Sequence, residues 1–185
     1  MANHFLVGLL LSAISLIACS KAHQKAFQQT EEIKKYGLVF GLDDYKQRID
    51  YYESRGKTDR ANLEKSKIDE YNRTLVQDFH NEFDFCQVRF YYASQTDEIR
   101  AGKPVLLNSN LEPDSTIQLP EKVILANYAY GKQEDNVIAG KSFRIEGTSI
   151  GIRTRYSRAG IDLPLEAIDL RKINKRLHKM NKARN

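Results

Sequence analysis

The sequence predicts an α+β domain, in which a helical hairpin precedes a mostly antiparallel sheet of about four to five strands and a basic amphipathic helix. Apolar residues recur every three or four positions over residues 43–82 and again after residue 169, as on one face of a helix. The segments between these regions alternate apolar and polar residues, as strands do. The gaps between several of these segments suit hairpins, and helices placed before and after a group of strands are typical of α+β domains.

The first two helices are predicted over residues 43–55 and 58–82. Asp43 or Asp44 can cap the first helix with a side-chain oxygen, and Gly56 can end it. The predicted apolar stripes are Tyr45, Ile49 and Tyr52 on the first helix, and Leu63, Ile68, Tyr71, Leu75 and Phe79 on the second. The short turn between the helices predicts a helical hairpin.

Five segments in the middle of the chain have the composition expected of strands. They are Cys86–Tyr92, Val105–Leu107, Val123–Tyr130, Ser142–Glu146 and Ser149–Tyr156. The last two predict a hairpin around Gly147 and Thr148.

A last helix is predicted after Pro164, since proline is favoured in a first helical turn. Its apolar stripe consists of Leu170, Ile173, Leu177 and Met180. Seven of the 29 Lys and Arg residues lie in this region with no acid after Asp169: Arg171, Lys172, Lys175, Arg176, Lys179, Lys182 and Arg184. The net charge of +5 therefore belongs to this segment, and the rest of the chain is slightly acidic.

Two interpretations of these basic residues stay open. They form either the solvated face of a packed helix or a possible contact with an anionic surface or an acidic partner. We expect the stripe from Leu170 to Leu177 to pack on the domain. We also expect the residues from Lys179 to Asn185 to be poorly ordered, as chain ends often are.

No catalytic, cofactor-binding or metal-binding motif is recognisable in the sequence. The acid pairs Asp43-Asp44, Asp69-Glu70 and Glu134-Asp135 are adjacent in sequence, and neighbouring side chains on a helix do not share a face. His80, near the end of the second helix, suits the terminal carbonyls better than catalysis. Cys86 is interpreted as a small buried apolar residue. The sequence therefore predicts no catalytic residue, cofactor or metal, and it leans against an enzyme.

The N-terminal segment is apolar and uncharged over the fourteen residues from Phe5 to Ala18. It is too short for a membrane-spanning helix, which needs about 20 residues, and it suits the apolar core of a signal peptide. It ends in Leu16-Ile17-Ala18-Cys19, which resembles the lipobox of bacterial lipoproteins. The resemblance implies a diacylglycerol on the Cys19 thiol, cleavage before that residue, and acylation of the new amino terminus, for example with palmitate. The alternative is an ordinary secretory signal with a cysteine near its cleavage site.

The resemblance also implies a location. Ser20 rather than Asp follows the cysteine, which implies delivery to the outer membrane of a double-membrane bacterium. The body of the chain, including the segment Phe85–Tyr92, is similar to uncharacterised exported lipoproteins of the Bacteroidota. Surface-exposed members of that group often carry acids soon after the cysteine. Here Lys21 and Lys25 precede the first acid, Glu31, which favours the periplasmic face.

We therefore divide the chain into a signal peptide (residues 1–18), a tether or helical linker (19–40) and one α+β domain (41–182). The 41% hydrophobic and 29% charged residues are typical of a soluble globular domain. The expected function is a non-catalytic binding or accessory subunit of an envelope complex, anchored through Cys19 and bound to an envelope protein rather than to nucleic acid. The alternatives are an envelope hydrolase with an unrecognised carboxylate site and a carrier of a small ligand.

Overall fold

A computed structural model of the chain describes residues 24–25, 27–130, 140–146, 151–156 and 167–182. Some of the predicted features lie outside these residues. They are the apolar N-terminal segment with Cys19, the pair Glu134-Asp135, the turn at Gly147 and Thr148, Pro164, and Arg184.

The described residues form the following helices and strands. The helices are α1 (residues 27–36), α2 (Lys46–Glu53), α3 (Thr58–Glu82), α4 (Thr96–Arg100) and α5 (Ala167–Lys182). The strands are β1 (Leu38–Leu42), β2 (Val88–Tyr92), β3 (Leu125–Tyr130), β4 (Gly140–Ile145) and β5 (Gly151–Tyr156). The combination of these helices with one sheet fits the predicted α+β class.

Within the described residues the strands form one five-stranded sheet in the order β2-β1-β3-β4-β5. Strand β1 is parallel to both β2 and β3, whereas β3 with β4 and β4 with β5 are antiparallel. The prediction of a mostly antiparallel sheet is therefore wrong, because two of the four pairings are parallel. The connections from β1 to β2 and from β2 to β3 are long enough to return the chain to the edge where the previous strand began, and parallel pairing requires such a return.

The central strand β1 was not predicted from the sequence. All five of its residues are buried, and a strand buried on both faces lacks the alternation by which strands are recognised. Strand β1 includes residue 40, where the tether was predicted to end, so the domain begins before residue 41. At Gly41 a Cβ would lie 3.1 Å from the hydroxyl of Tyr91 on β2, so glycine allows the aromatic ring to pack closely against the strand.

Both faces of the sheet are covered at β1 and β2. On one face Leu38 and Phe40 join a large apolar cluster with residues of α1, α3 and α5: Ile33, Leu75, Phe79, Leu170, Ile173 and Leu177. On the other face Val39 and Tyr91 pack with Ile99 of α4 and with residues of the segment that follows it. The connection from β1 to β2 therefore crosses one face of the sheet, and the connection from β2 to β3 crosses the other.

Helices α2 and α3 pack together as the predicted helical hairpin. The first helix is shorter than the predicted residues 43–55, and its N-cap is Tyr45 without a side-chain capping bond, rather than Asp43 or Asp44. Gly56, with φ of +67°, follows α2 as predicted. The buried residues of α3 are Ala61, Ile68, Asn72, Leu75, Val76 and Phe79. Leu63 was predicted to be buried but is 53% exposed. At about 100° per residue it lies on the side of the helix opposite Ala61 and Ile68.

The predicted strand Val105–Leu107 is reduced to two isolated bridges at Leu107, one to Phe90 and one to Pro113. Leu107 donates its N–H to the carbonyl of Phe90 on β2 at 2.9 Å. This bond covers part of the outer edge of β2, which is an edge strand of the sheet.

Candidate functional site

Helix α5 has a buried apolar face and an exposed basic one. Leu170, Ile173 and Leu177 are fully buried and Met180 is partly buried, so the predicted apolar stripe is confirmed. The helix continues to Lys182, so the expectation of poor order is wrong for residues 179–182. The same amphipathic pattern that packs the stripe extends the helix through these residues.

Arg171 joins α5 to the last residue of α3. Its guanidinium donates through Nη2 to Oε1 of Glu82 at 2.7 Å and through Nε to Oε2 of the same carboxylate. The hydrogen bond from Arg171 and its charge lower the pKa of Glu82, and the carboxylate raises the pKa of Arg171. Arg171, which was predicted as an anionic-surface contact, forms an ion pair with Glu82 while 57% of its side chain remains exposed.

Asp84 forms a second connection to α5. Its Oδ1 accepts a hydrogen bond from Nδ2 of Asn174 at 2.7 Å and lies 2.9 Å from Nε2 of His178. These hydrogen bonds lower the pKa of Asp84. The N–H of Phe85 donates to Oδ1 of Asn174 at 3.0 Å. Together with the Arg171 pair, these contacts fix both the position and the rotation of α5 on the domain.

Four other predicted contact residues form what we term the outer basic face: Lys175, Arg176, Lys179 and Lys182. All four are exposed, and none makes an ion pair within the described part of the chain. Lys172 is exposed on the same side of the helix, and Arg184 lies outside the described residues. The structure therefore divides the predicted set into Arg171, which faces α3, and a group that faces solvent.

A second polar surface, which the sequence analysis missed, surrounds α2. Arg48, Arg55 and Arg60 lie over the rings of Tyr45, Tyr51 and Tyr52, at 5.9, 4.6 and 5.7 Å from the ring centroids. We term these six residues the Arg–Tyr surface. Helix α2 has no buried residue, and the side chain of Tyr51 is 49% exposed. Tyr45 and Tyr52 were predicted to belong to an apolar stripe, although arginines three and four positions after Tyr45 and Tyr51 are a signal for stacked pairs.

A third candidate lies where the parallel strands β1 and β2 end. Asp43 and Asp44 follow β1, and Ser94 follows β2 and donates to Oδ2 of Asp44. The connections that leave β1 and β2 cross opposite faces of the sheet, and in open α/β sheets ligands bind outside the carboxyl ends of strands at such a point. The buried Asn72 of α3 donates through Nδ2 to the carbonyl of Asp43 at 2.8 Å.

The carboxylates at this edge have structural partners. Oδ1 of Asp43 accepts the N–H of Tyr45 at 3.0 Å, and Asp44 holds Ser94. Burial, together with the charges of Asp69 and Asp44, raises the pKa of Tyr92, whose hydroxyl donates to the carbonyl of Leu111 at 3.0 Å. The hydrogen bond from Ser94 to Asp44 therefore joins the segments that follow β1 and β2.

The remaining candidate groups show no arrangement typical of catalysis. Burial raises the pKa of Cys86 to about 12, so its thiol is protonated at neutral pH and is a poor nucleophile. His80 is exposed, and its ring lies edge-on to Phe90, with centroids 6.3 Å apart. Among the described residues, no group of three or more His, Cys, Asp or Glu side chains could hold a metal ion.

Comparisons with models of protein families, with curated proteins and with solved structures gave no match. None of the helices in the described ranges combines the length and the apolar character needed to cross a membrane.

Proposed function

We propose that the protein is a non-catalytic binding subunit of a bacterial envelope complex, anchored to the outer membrane by lipid on Cys19. The lipobox-like segment Leu16–Cys19 supports the anchoring. The Arg–Tyr surface supports the binding of a protein partner, and it is the observation that carries the proposal.

The Arg–Tyr surface has the composition of a protein interface. Tyrosine and arginine are enriched at interfaces, and together with tryptophan they supply most of the residues that dominate binding energy. Tyr51 and Tyr52 lie with ring centroids 5.6 Å apart, and arginine stacking restricts the rings further. Side chains that are already ordered lose less conformational entropy on binding. A helix with no buried residue that presents ordered aromatic rings is therefore suited to contact another protein.

The anchoring is tested by replacing each cysteine in turn. Cys19→Ala is expected to give an uncleaved or soluble protein, because acyl chains contribute about 0.8 kcal/mol of membrane affinity per buried methylene. Cys86→Ala is the matched control and is expected to leave the lipid in place. Mass spectrometry of the mature amino terminus decides the question. A mature chain that starts at another residue and carries no lipid mass would contradict the proposal.

The partner is tested by affinity purification of the full chain from solubilised membranes. We expect a stoichiometric envelope protein, and we expect Tyr51→Ala combined with Arg55→Ala to lose it. The control combines Lys65→Ala with Lys67→Ala, two exposed residues of α3. Recovery of no stoichiometric partner by the unaltered protein would count against a binding subunit.

One observation favours the hydrolase alternative. Asp43 and Asp44 lie at the carboxyl ends of the parallel strands, where α/β enzymes place catalytic groups. Asp44→Asn would then abolish the cellular function while the partner is still captured. If the protein is instead a binding subunit, variants that abolish its cellular function are expected to abolish partner capture as well.

A further inference from the structure

We propose that the outer basic face of α5 lies on the anionic headgroups of the membrane that carries the anchor, and thereby orients the tethered domain. This inference rests on the proposed anchoring through Cys19. It assigns the basic residues to a lipid surface rather than to the protein partner.

Like charges are concentrated on this face. Lys175 and Lys179 are four residues apart, and Arg176 and Lys179 as well as Lys179 and Lys182 are three apart. Side chains at these spacings are neighbours on a helix, and like charges there are destabilising. An anionic surface relieves this repulsion, whereas water only screens it.

Two other exposed surfaces of the described residues combine both signs of charge. On α2, Lys46 pairs with Asp50 four residues later at 3.2 Å. On the outer side of α3, Lys65, Asp69, Glu70 and Arg73 line one open surface depression. The absence of acids from the outer basic face of α5 is therefore a local property and not the general pattern of the described surface.

Lipid fits the chemistry of this face better than a protein does. The face consists of three lysines and one arginine and contains no aromatic or apolar side chain. Protein interfaces are depleted in lysine and depend on buried anchors such as tyrosine and tryptophan. A fluid layer of anionic headgroups requires only positive charge within a Debye length. The proposed anchor on Cys19 supports such a contact, since it raises the effective concentration of the helix at the membrane.

The position of α5 separates the two proposed contacts. Arg171 of α5 pairs with Glu82 at the end of α3, whereas Arg60 of the Arg–Tyr surface lies near its start. With a rise of 1.5 Å per residue, α3 holds Arg60 about 33 Å from Glu82. A partner bound at Arg60 and a membrane in contact with the Arg171 end of α5 would therefore lie near opposite ends of α3.

The inference is tested by lysine acetylation of the lipidated full chain on vesicles, read by mass spectrometry at each lysine. Vesicles of phosphatidylcholine with phosphatidylglycerol are compared with vesicles of phosphatidylcholine alone. We expect several-fold slower acetylation of Lys175, Lys179 and Lys182 on the anionic vesicles only, and loss of this protection at high salt. Lys65 and Lys67 of α3 are the internal controls, and their rates are expected to be equal on both vesicles.

Equal rates for the α5 lysines on both vesicle types would overturn the inference. Protection on neutral and anionic vesicles alike, or only after the captured protein partner is added, would also overturn it. The lipid mass on Cys19 is verified first, so a failure of anchoring is seen separately. An unlipidated chain, mixed with the same vesicles at low salt, tests the basic face without the anchor.

Discussion

Arg171 and Glu82 connect α5 to α3 through two hydrogen bonds from one guanidinium to one carboxylate. The pair lies beside the apolar stripe of α5 and at the residue where α3 ends. It distinguishes two kinds of basic residue on a single helix: one that helps hold the helix on the domain, and several that do not.

Arg171→Gln is expected to lower the midpoint of urea unfolding, because it leaves Glu82 without its partner. Arg176→Gln is the matched control, since it removes the same charge from the same helix but no ion pair. Its midpoint is expected to stay close to that of the unaltered protein. Equal midpoints for the two variants would show that the pair adds no stability, as is found for many exposed ion pairs.

Acid is expected to weaken the attachment of α5. The pKa of Asp84 is lowered in the folded protein by its hydrogen bonds from Asn174 and His178. Its contribution to stability is therefore complete above the ordinary carboxyl pKa of about 4 and is lost as the pH falls through the lower folded value. Urea midpoints of the unaltered protein and of Asp84→Asn are expected to differ most above pH 5 and to converge towards pH 2. A difference that does not change with pH would contradict this linkage.

Leu177→Ala is expected to destabilise the domain by about 2–5 kcal/mol, the usual cost of a cavity at a fully buried leucine. The side chain of Leu177 is completely inaccessible and belongs to the large apolar cluster. Lys179→Ala, two residues later and exposed, is expected to change the free energy of unfolding by no more than about 0.5 kcal/mol. Equilibrium unfolding in urea measures both, and similar values would mean that the stripe is not packed as described.

Two glycines with similar backbone angles are expected to respond differently to alanine. Gly37 and Gly56 have φ of +78° and +67°, a region that costs other residues about 1–2 kcal/mol. A Cβ on Gly56 would meet no atom within 4 Å, whereas on Gly37 it would lie 2.5 Å from the carbonyl oxygen of Gln87. Gly56→Ala is therefore expected to lower the free energy of unfolding only by the cost of the positive φ. Gly37→Ala is expected to lower it distinctly more. Equal losses in a thermal unfolding series would rule out the close contact.

Helices α3 and α5 were predictable because their periodicity extends over many residues, whereas the short α4 was not predicted. Helix α3 begins and ends where the sequence analysis placed it, and the stripe of α5 packs as expected. Strand β1 was not predictable in this way, since Leu38–Leu42 is short and buried on both faces. Without β1 the remaining segments were interpreted as hairpins, and this produced the wrong prediction of mostly antiparallel pairing.

The candidate sites were predictable only where they depend on composition. The charge of α5 is visible in the sequence, but the partners Glu82 and Asp84 are far from the helix along the chain. The contact between Ser94 and Asp44 likewise depends on two strands lying side by side. The spacing of residues along the sequence carries no information about such pairs. The structure was therefore needed to distinguish Arg171, which pairs with Glu82, from the outer basic face.

The position of β1 also has a consequence for how the chain acquires its fold. Val39 pairs with Arg89 on one side and with Leu125 on the other, and the large apolar cluster is complete only when Leu177 is in place. The central strand thus pairs with segments that are synthesised much later. Contacts between residues distant along the chain slow folding. A nascent chain that lacks α5 leaves this cluster open. We therefore expect folding to be complete only when α5 is present, and we expect a chain that lacks α5 to expose apolar surface to proteases and to aggregation.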